Sequence, residues 1–309
     1  MCWRFPDTAF CFLFGQERHQ AFGSRSHCVK KYRRSVLINR NRGRSGHAQP
    51  GQSLRSVSMR IRNLFLVFFV CLLTFGCAAS KKETEAKKQI DLDYEMAVNY
   101  FNAGETSQAI RSLALVLASD PDHAEANHLM GFIRMGRRQY DEAVTHFKRA
   151  LATNPNMLNC KNNLGAAYMF QERWEDAAVI FQELSKSPLY TSPWLAFGNL
   201  GWAYYKMGML PEALEQTEMS VFLNPKFCLG LNNMGIIQEE MGREDAAHKN
   251  YLSAIENCPN YPEPHLHLGM IHASHGENAK AYKYFRRCQE LSPKSDLGER
   301  CLRNAEMMQ

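Results

Sequence analysis

Asn199-Leu200-Gly201-Trp202-Ala203-Tyr204-Tyr205, followed by Ala213 and closed by Pro225, decides how this chain folds. A Leu-Gly pair lets a neighbouring helix approach closely, and the aromatic that follows wedges into the contact. A small Ala sits where the partner helix crosses. Pro then ends the second helix, because it lacks the N–H needed to continue it. The same punctuation runs along the chain. Small residues at the glycine position are Ala97, Gly131, Gly165, Gly201, Gly235 and Gly269, spaced 34, 34, 36, 34 and 34. Ala109, Ala143, Ala177, Ala213, Ala247 and Ala281 keep the same rhythm, and Pro121, Pro155, Pro225, Pro259 and Pro293 close the units. Six helix pairs in register make an α-solenoid.

This period and residue pattern resemble the tetratricopeptide (TPR) repeat. The resemblance implies an all-α TPR α-solenoid of about six repeats, near 90–123, 124–157, 158–193, 194–227, 228–261 and 262–293, with a cap over 294–309. Within the second helices, Ala143, Phe147 and Ala150, and likewise Ala281, Phe285 and Cys288, fall at i, i+4 and i+7 on one face. Asn154-Pro155, Asn224-Pro225 and Ser292-Pro293 stop those helices, since a residue before Pro is pushed out of the α region. Leu297 to Met307 is a last amphipathic segment, and Glu299, Arg300 and Arg303 give it the polar outer face that a terminal repeat needs.

Charge is segregated along the 309 residues. Residues 1–58 hold eleven Lys and Arg against Asp7 and Glu17, while everything beyond Arg62 sums to −5 within an overall net charge of +6. The repeats are mildly acidic and lack the basic stripe that nucleic acid requires. Five of the ten cysteines (Cys160, Cys228, Cys258, Cys288 and Cys301) are scattered through the repeats with no C-x-x-C pair, which argues against a zinc ribbon or a redox motif. They read as small buried apolar residues. Cys288 with Cys301 is the one pair singled out as a candidate disulfide, and pairing among Cys228, Cys258, Cys288 and Cys301 is otherwise left open.

The N-terminal part reads as an address. Residues 1–58 are expected to be a basic extension without regular structure, or an upstream over-reading with translation starting at Met59. Met59-Arg60-Ile61-Arg62-Asn63 is a short positive region, and Leu64 to Phe75 is an apolar run shorter than the roughly 20 residues a membrane-spanning helix needs. Together, residues 59–76 fit a signal peptide. Leu73-Thr74-Phe75-Gly76-Cys77-Ala78-Ala79-Ser80 resembles a bacterial lipobox, although Thr74 and Phe75 replace the commoner Leu and small residue. The resemblance implies lipidation at Cys77, a membrane anchor through N-terminal acyl chains, and a place on the periplasmic face of the outer membrane. An ordinary signal peptide or an uncleaved anchor is the alternative. Residues 77–89, rich in Lys and Glu, are expected to be a mobile tether.

The irregular 36-residue step contains Ser187-Pro188-Leu189-Tyr190-Thr191-Ser192-Pro193. Read structurally, this insert adjusts the pitch of the superhelix. Pro188-Leu189-Tyr190, then Pro193 and the Asn199-Leu200-Gly201 helix behind a lipobox, is also similar to the pilotin lipoproteins of type IV pilus biogenesis (the PilF/Tgl type). Over roughly 77–309 that resemblance implies a lipid-anchored adaptor whose partner is a secretin subunit of the type IV pilus and which assists its outer-membrane assembly. The alternative is a generic TPR lipoprotein that scaffolds other envelope complexes, such as those of peptidoglycan hydrolases.

In TPR families a partner lies against fixed positions of each first helix. Carried onto this chain, these include Tyr94, Val98, Phe101, His128, Phe132, Met135, Asn162, Ala166, Met169, Phe170, Trp202, Tyr205, Asn232, Ile236 and Glu239. The aromatic and Met residues are expected to form an apolar strip facing solvent, with Asn162 and Asn232 holding a partner's backbone amides. The alternative is a strip covered by curvature or by the tether. Lys and Arg are largely absent there, which disfavours an acidic C-terminal peptide. His265, His267, His272 and His275, with His248 nearby, lack a His-Glu-x-x-His motif and read as packing and surface histidines, so no metal is expected. Without a nucleophile elbow, P-loop or dinucleotide glycine pattern, neither a cofactor nor enzymatic activity is expected.

Overall fold

The computed structural model describes residues 84–309 with their side chains, together with the backbone of Cys2–Phe5 and Thr8–Cys11. Those two short segments, β1 and β2, pair antiparallel in a register that sets Cys2 opposite Cys11. Regular backbone thus occurs inside the extension expected to lack it, where alternating aromatic and small residues flank Pro6-Asp7 in the sequence. The signal segment and Cys77 lie outside the described residues.

Residues 84–102 form helix α1, so Thr84 to Gln89 of the expected tether is helical. The chain then alternates first and second helices. These are α2 (Thr106–Ser119), α3 (Ala124–Gly136), α4 (Tyr140–Thr153), α5 (Leu158–Phe170), α6 (Trp174–Ser185), α7 (Pro193–Lys206), α8 (Leu210–Leu223), α9 (Cys228–Glu240), α10 (Glu244–Asn257), α11 (Glu263–Ser274), α12 (Asn278–Leu291) and the cap α13 (Asp296–Glu306). Each first helix packs on its own second helix, and each second helix on the next first one. The result is the TPR fold.

One contact closes every pair. A Cβ placed on Gly131 would lie 2.7 Å from the Phe147 ring, one on Gly165 2.7 Å from Phe181, and one on Gly269 2.5 Å from Phe285. The ring sits sixteen residues after the glycine each time, and the pattern holds for Gly235 with Tyr251. Where a smaller side chain occupies that second position the rule relaxes: repeat one has Ala97 facing Leu113 in the series, both fully buried. Repeat four uses Thr217, whose Oγ1 donates to the carbonyl oxygens of Ala213 and Leu214 at 3.0 Å. Main chain then comes close, and a Cβ on Gly201 would meet the Ala213 oxygen at 2.9 Å.

The turns repeat as faithfully. A left-handed residue links the two helices of each pair, at Gly104, Gly208, Gly242 and Gly276 (φ 70° to 80°), but at Arg138 (φ 61°) and Glu172 (φ 57°) in repeats two and three. Between pairs, the Asp120, Asn154 and Asn224 side chains each accept the backbone N–H two residues on, all at 3.2 Å, bracketing Pro121, Pro155 and Pro225. That side-chain turn replaces the hydrogen bond proline cannot make. In repeat five the residue before Pro259 is Cys258, which is bonded to Cys228 at the start of α9.

Among the described residues two disulfides are present, Cys228–Cys258 and Cys288–Cys301. The second is the pair singled out from the sequence. The first is a correction to the reading of these cysteines as small apolar residues: folding α9 back on α10 brings their Cα atoms within 6.2 Å across 30 residues. Cys160 is buried and free, its Sγ lying 3.7 Å from the Phe147 carbonyl oxygen, and burial pushes its thiol up to about 12.

The insert does two things. Pro193 opens α7 at a position where its missing N–H costs nothing. Tyr190 turns inward and is 4% exposed among the residues around Trp202 and Ala196, whereas Leu189 is 76% exposed.

Gly201→Ala is expected to destabilise the protein by about 2 kcal/mol through overpacking against main chain. Arg138→Gly and Glu172→Gly are each expected to stabilise it by about 1 kcal/mol by relieving left-handed backbone; thermal melts of the three variants check both signs. Cys228→Ser with Cys258→Ser is expected to remove about 3.5 kcal/mol, the loop entropy of one cross-link of this length, and reduction, which also opens Cys288–Cys301, to remove more. Non-reducing peptide mapping with a melt in reductant reads that out.

Candidate functional site

Successive first helices lie side by side, and their packing decides what is left for a partner. Phe101 at the end of α1 meets Phe132 of α3 edge-on, with ring centroids 5.8 Å apart. Tyr140 stacks on Phe170 at 5.0 Å, and Trp202 tilts against Tyr205 at 4.9 Å. Each ring thereby loses a face to a neighbour. Phe132, Met135, Met169 and Trp202 end as core residues, between 1% and 9% exposed. Tyr94, Phe101, Phe170, Tyr205 and Ile236 are half-buried. The continuous solvent-facing strip expected over these positions is therefore absent. What remains is a broken row of half-buried side chains, Val98 among them.

Asn162 and Asn232, expected to reach a partner, are also buried, and Asn162 is fully so. The reason is a polar ladder inside the stack. Asn163 Nδ2 lies 3.0 Å from His128 Nε2, and Asn199 Nδ2 donates to Asn162 Oδ1 at 3.5 Å, so each rung joins one repeat to the next. Asn163 was not singled out from the sequence, and Asn199 entered only as part of the Leu-Gly helix. Their signal was there, in amides recurring one repeat apart as Asn163, Asn199 and Asn233 among otherwise apolar positions. The ladder is incompletely satisfied: Asn162 Nδ2, Asn163 Oδ1, Asn232 Oδ1 and Trp202 Nε1 are buried without a hydrogen-bond partner.

Glu239, placed at the binding face from the sequence, also works between repeats. Its Oε2 accepts from the Tyr251 hydroxyl and lies 2.9 Å from His267 Nδ1, while His267 stacks on Tyr251 at 4.8 Å. One cation reaches the aromatic row. Lys206 Nζ lies 5.5 Å from the centre of the Trp202 ring and 5.8 Å from that of Trp174.

The most exposed large apolar side chains include several on second helices and the insert. Phe222 is 77% exposed and Leu189 76%, with Leu115, Val179 and Met219 also open to solvent. Ser220 Oγ donates to the Trp194 carbonyl at 2.6 Å, which ties the end of α8, carrying Met219 and Phe222, to the start of α7 just after the insert. Among the described residues no group of His, Cys, Asp and Glu is arranged to hold a metal, and no helix is long and apolar enough to cross a membrane.

Comparison with known proteins agrees with the repeat architecture. Tetratricopeptide repeat profiles match residues 94–157, 134–188 and 262–295. The chain carries tetratricopeptide repeats in a TPR fold. It is similar to the Type IV pilus assembly protein PilF of Pseudomonas aeruginosa, with 27% identity over 165 residues, covering 52% of this chain and 66% of that protein. The fold superposes on the crystal structure of PilW, titled a widely conserved type IV pilus biogenesis factor. That match has TM-score 0.61 and 21% identity, and covers 69% of this chain and 98% of PilW. It also superposes on the structure of Pseudomonas aeruginosa pilF, with TM-score 0.59 and 22% identity, over 71% of this chain and 98% of that one.

The buried ladder makes stability depend on pH. Burial lowers the His128 pKa from 6.5 to about 4. The unfolded chain therefore binds a proton that the folded chain refuses, and the contribution of neutral His128 is full above pH 6.5 and lost as pH falls towards 4. The loss is of order 3 kcal/mol. His265, lowered to about 4 first by burial and then by Arg287, adds in the same direction. The urea midpoint is expected to drop between pH 7 and pH 4.5, and His128→Gln to remove part of that drop.

Proposed function

We propose that this protein is a lipid-anchored TPR adaptor that binds a secretin subunit of the type IV pilus and assists its assembly at the outer membrane. The observation that carries the reading is the 27% identity to PilF over 165 residues of the repeat region. Two further features support it. Cys77 follows an apolar run in a lipobox-like context, and acyl chains attached there contribute about 0.8 kcal/mol per buried CH₂. Two disulfides in the C-terminal repeats suit the oxidising periplasm better than the cytosol.

In this reading the work is escort. The anchor holds the repeats at the membrane, and the repeats hold a secretin segment that is prone to aggregate before its ring closes. Confinement to one surface raises the effective concentration of subunits. Partner contact falls on side chains that are still accessible: Phe101, Phe170, Tyr205 and Ile236 on the first helices, and Leu189 with Phe222 around repeat four. The buried amides are reached only if the first helices part.

Affinity capture from solubilised envelopes tests the proposal, using the intact protein beside Tyr205→Ser with Ile236→Ser and beside Leu189→Ser with Phe222→Ser. The secretin is expected to be retained by the native protein and lost, at least tenfold, with one of the two variants. Recovery of peptidoglycan hydrolases without secretin would replace the pilus reading with that of a general envelope scaffold. Radiolabelled palmitate is expected to enter the native chain and not Cys77→Ser.

A further inference from the structure

His267 packs between repeats and His275 pairs at the surface, but the other three histidines of the last repeats share one cleft. His248 of α10 and His265 and His272 of α11 line one cavity of about 500 Å³ with Lys280, Lys283, Tyr284 and Arg287 of α12. No Asp or Glu is among the lining residues. Nearby carboxylates are engaged at its rim: Glu277 lies 2.5 Å from His272 Nδ1 and accepts from Lys280 at 3.0 Å, and Glu290 accepts from Arg287 at 3.3 Å. Glu244, 2.7 Å from His275, and Asp245 face His248 from its own helix. Lys283 makes no ion pair among the described residues.

The second observation is His265. It is 6% exposed, lines the cavity, and neither ring nitrogen has a hydrogen-bond partner. An unpaired buried polar group is costly, so its retention calls for a partner. A neutral imidazole offers one donor and one acceptor. A metal ion does not suit this site, because three permanent cations surround it. An oxyanion that also carries a proton, as hydrogen phosphate does, matches both ring nitrogens and the cations together.

The cleft is open to solvent and roomier than a bare anion needs. Its wall is aromatic: His272 stacks on Tyr284 with centroids 5.3 Å apart, and His248 stands edge-on to His272 at 5.5 Å. A flat or apolar portion of a ligand has somewhere to lie. Burial first, then the charges of His272 and Lys280, lower the His248 pKa against the opposing pull of Asp245 and Glu244.

We propose that the cavity between α10, α11 and α12 binds a small organic phosphate, with Lys283 and Arg287 holding the phosphate oxygens and His265 exchanging hydrogen bonds with them. The site is independent of any pilus partner. The phosphate belongs either to a soluble ester or to a lipid headgroup, and the two are separated by the probe.

Calorimetric titration of the full chain with glycerol phosphate, and flotation with vesicles of phosphatidylcholine with or without phosphatidic acid, test the proposal. Saturable binding of glycerol phosphate is expected, weakened at least tenfold in Lys283→Gln with Arg287→Gln and unchanged in Lys226→Gln, a distant surface cation. Retention by phosphatidic acid vesicles alone, lost in the same double variant, assigns the phosphate to a lipid. His265→Phe is expected to raise the melting temperature of the unliganded protein while weakening binding. Lys283 and Arg287 are exposed, so their replacement leaves the fold intact. The proposal is overturned if neither probe binds, or if the double variant binds as the native chain does.

Discussion

The structure depends on how closely two helices of a pair can approach, and that distance is set by a glycine facing a ring sixteen residues later. Gly131 with Phe147, Gly165 with Phe181, Gly235 with Tyr251 and Gly269 with Phe285 leave no room for a methyl group. Each ring is at most 2% exposed. Burying an aromatic side chain fully contributes roughly 2–3 kcal/mol, and the glycine is what makes full burial possible. Because the contact is local in sequence, every pair reproduces its geometry. The stack then follows from repeating one unit, as nearest-neighbour repeats do.

Variation inside this constraint is informative. Repeat four substitutes Thr217 for the ring, brings main chain into the contact, and is preceded by the insert that places Tyr190 in the core. Repeat five replaces the side-chain turn before its proline with a disulfide. Repeat six and its neighbour gather cations and imidazoles around one cleft. The scaffold is uniform while its chemistry changes towards the C-terminus, where both disulfides also lie.

Function is distributed accordingly. The faces of the first helices are spent largely on holding repeats together, through Phe101 on Phe132 and the amide ladder from His128 to Asn199. Similarity to a pilus assembly protein gives the repeats a biological setting. The accessible apolar groups that would serve a partner are fewer than a TPR pattern implies, and several lie on second helices. Unsatisfied amides beneath the first helices are a reserve of polar contacts that a partner able to separate those helices would meet.

The sequence by itself determined the helix pairs, their number and the cap, because each rests on residues close together in the chain: a small residue at a crossing, a proline after a second helix, a polar face at the end. Cys288 and Cys301, thirteen residues apart, were legible for the same reason. The aromatic expected to wedge just after the glycine is instead sixteen residues on, on the second helix that crosses there. Tertiary structure decided everything that depends on neighbouring repeats. Whether Phe132 and Met169 face solvent, which partner Cys258 finds, and where His248 meets Lys283 turn on how one pair rotates against the next. A helical period tells which residues share a face, but not how much of that face the next helix covers. Burial and electrostatics at these sites are sums over several helices, and no single stretch of sequence contains them.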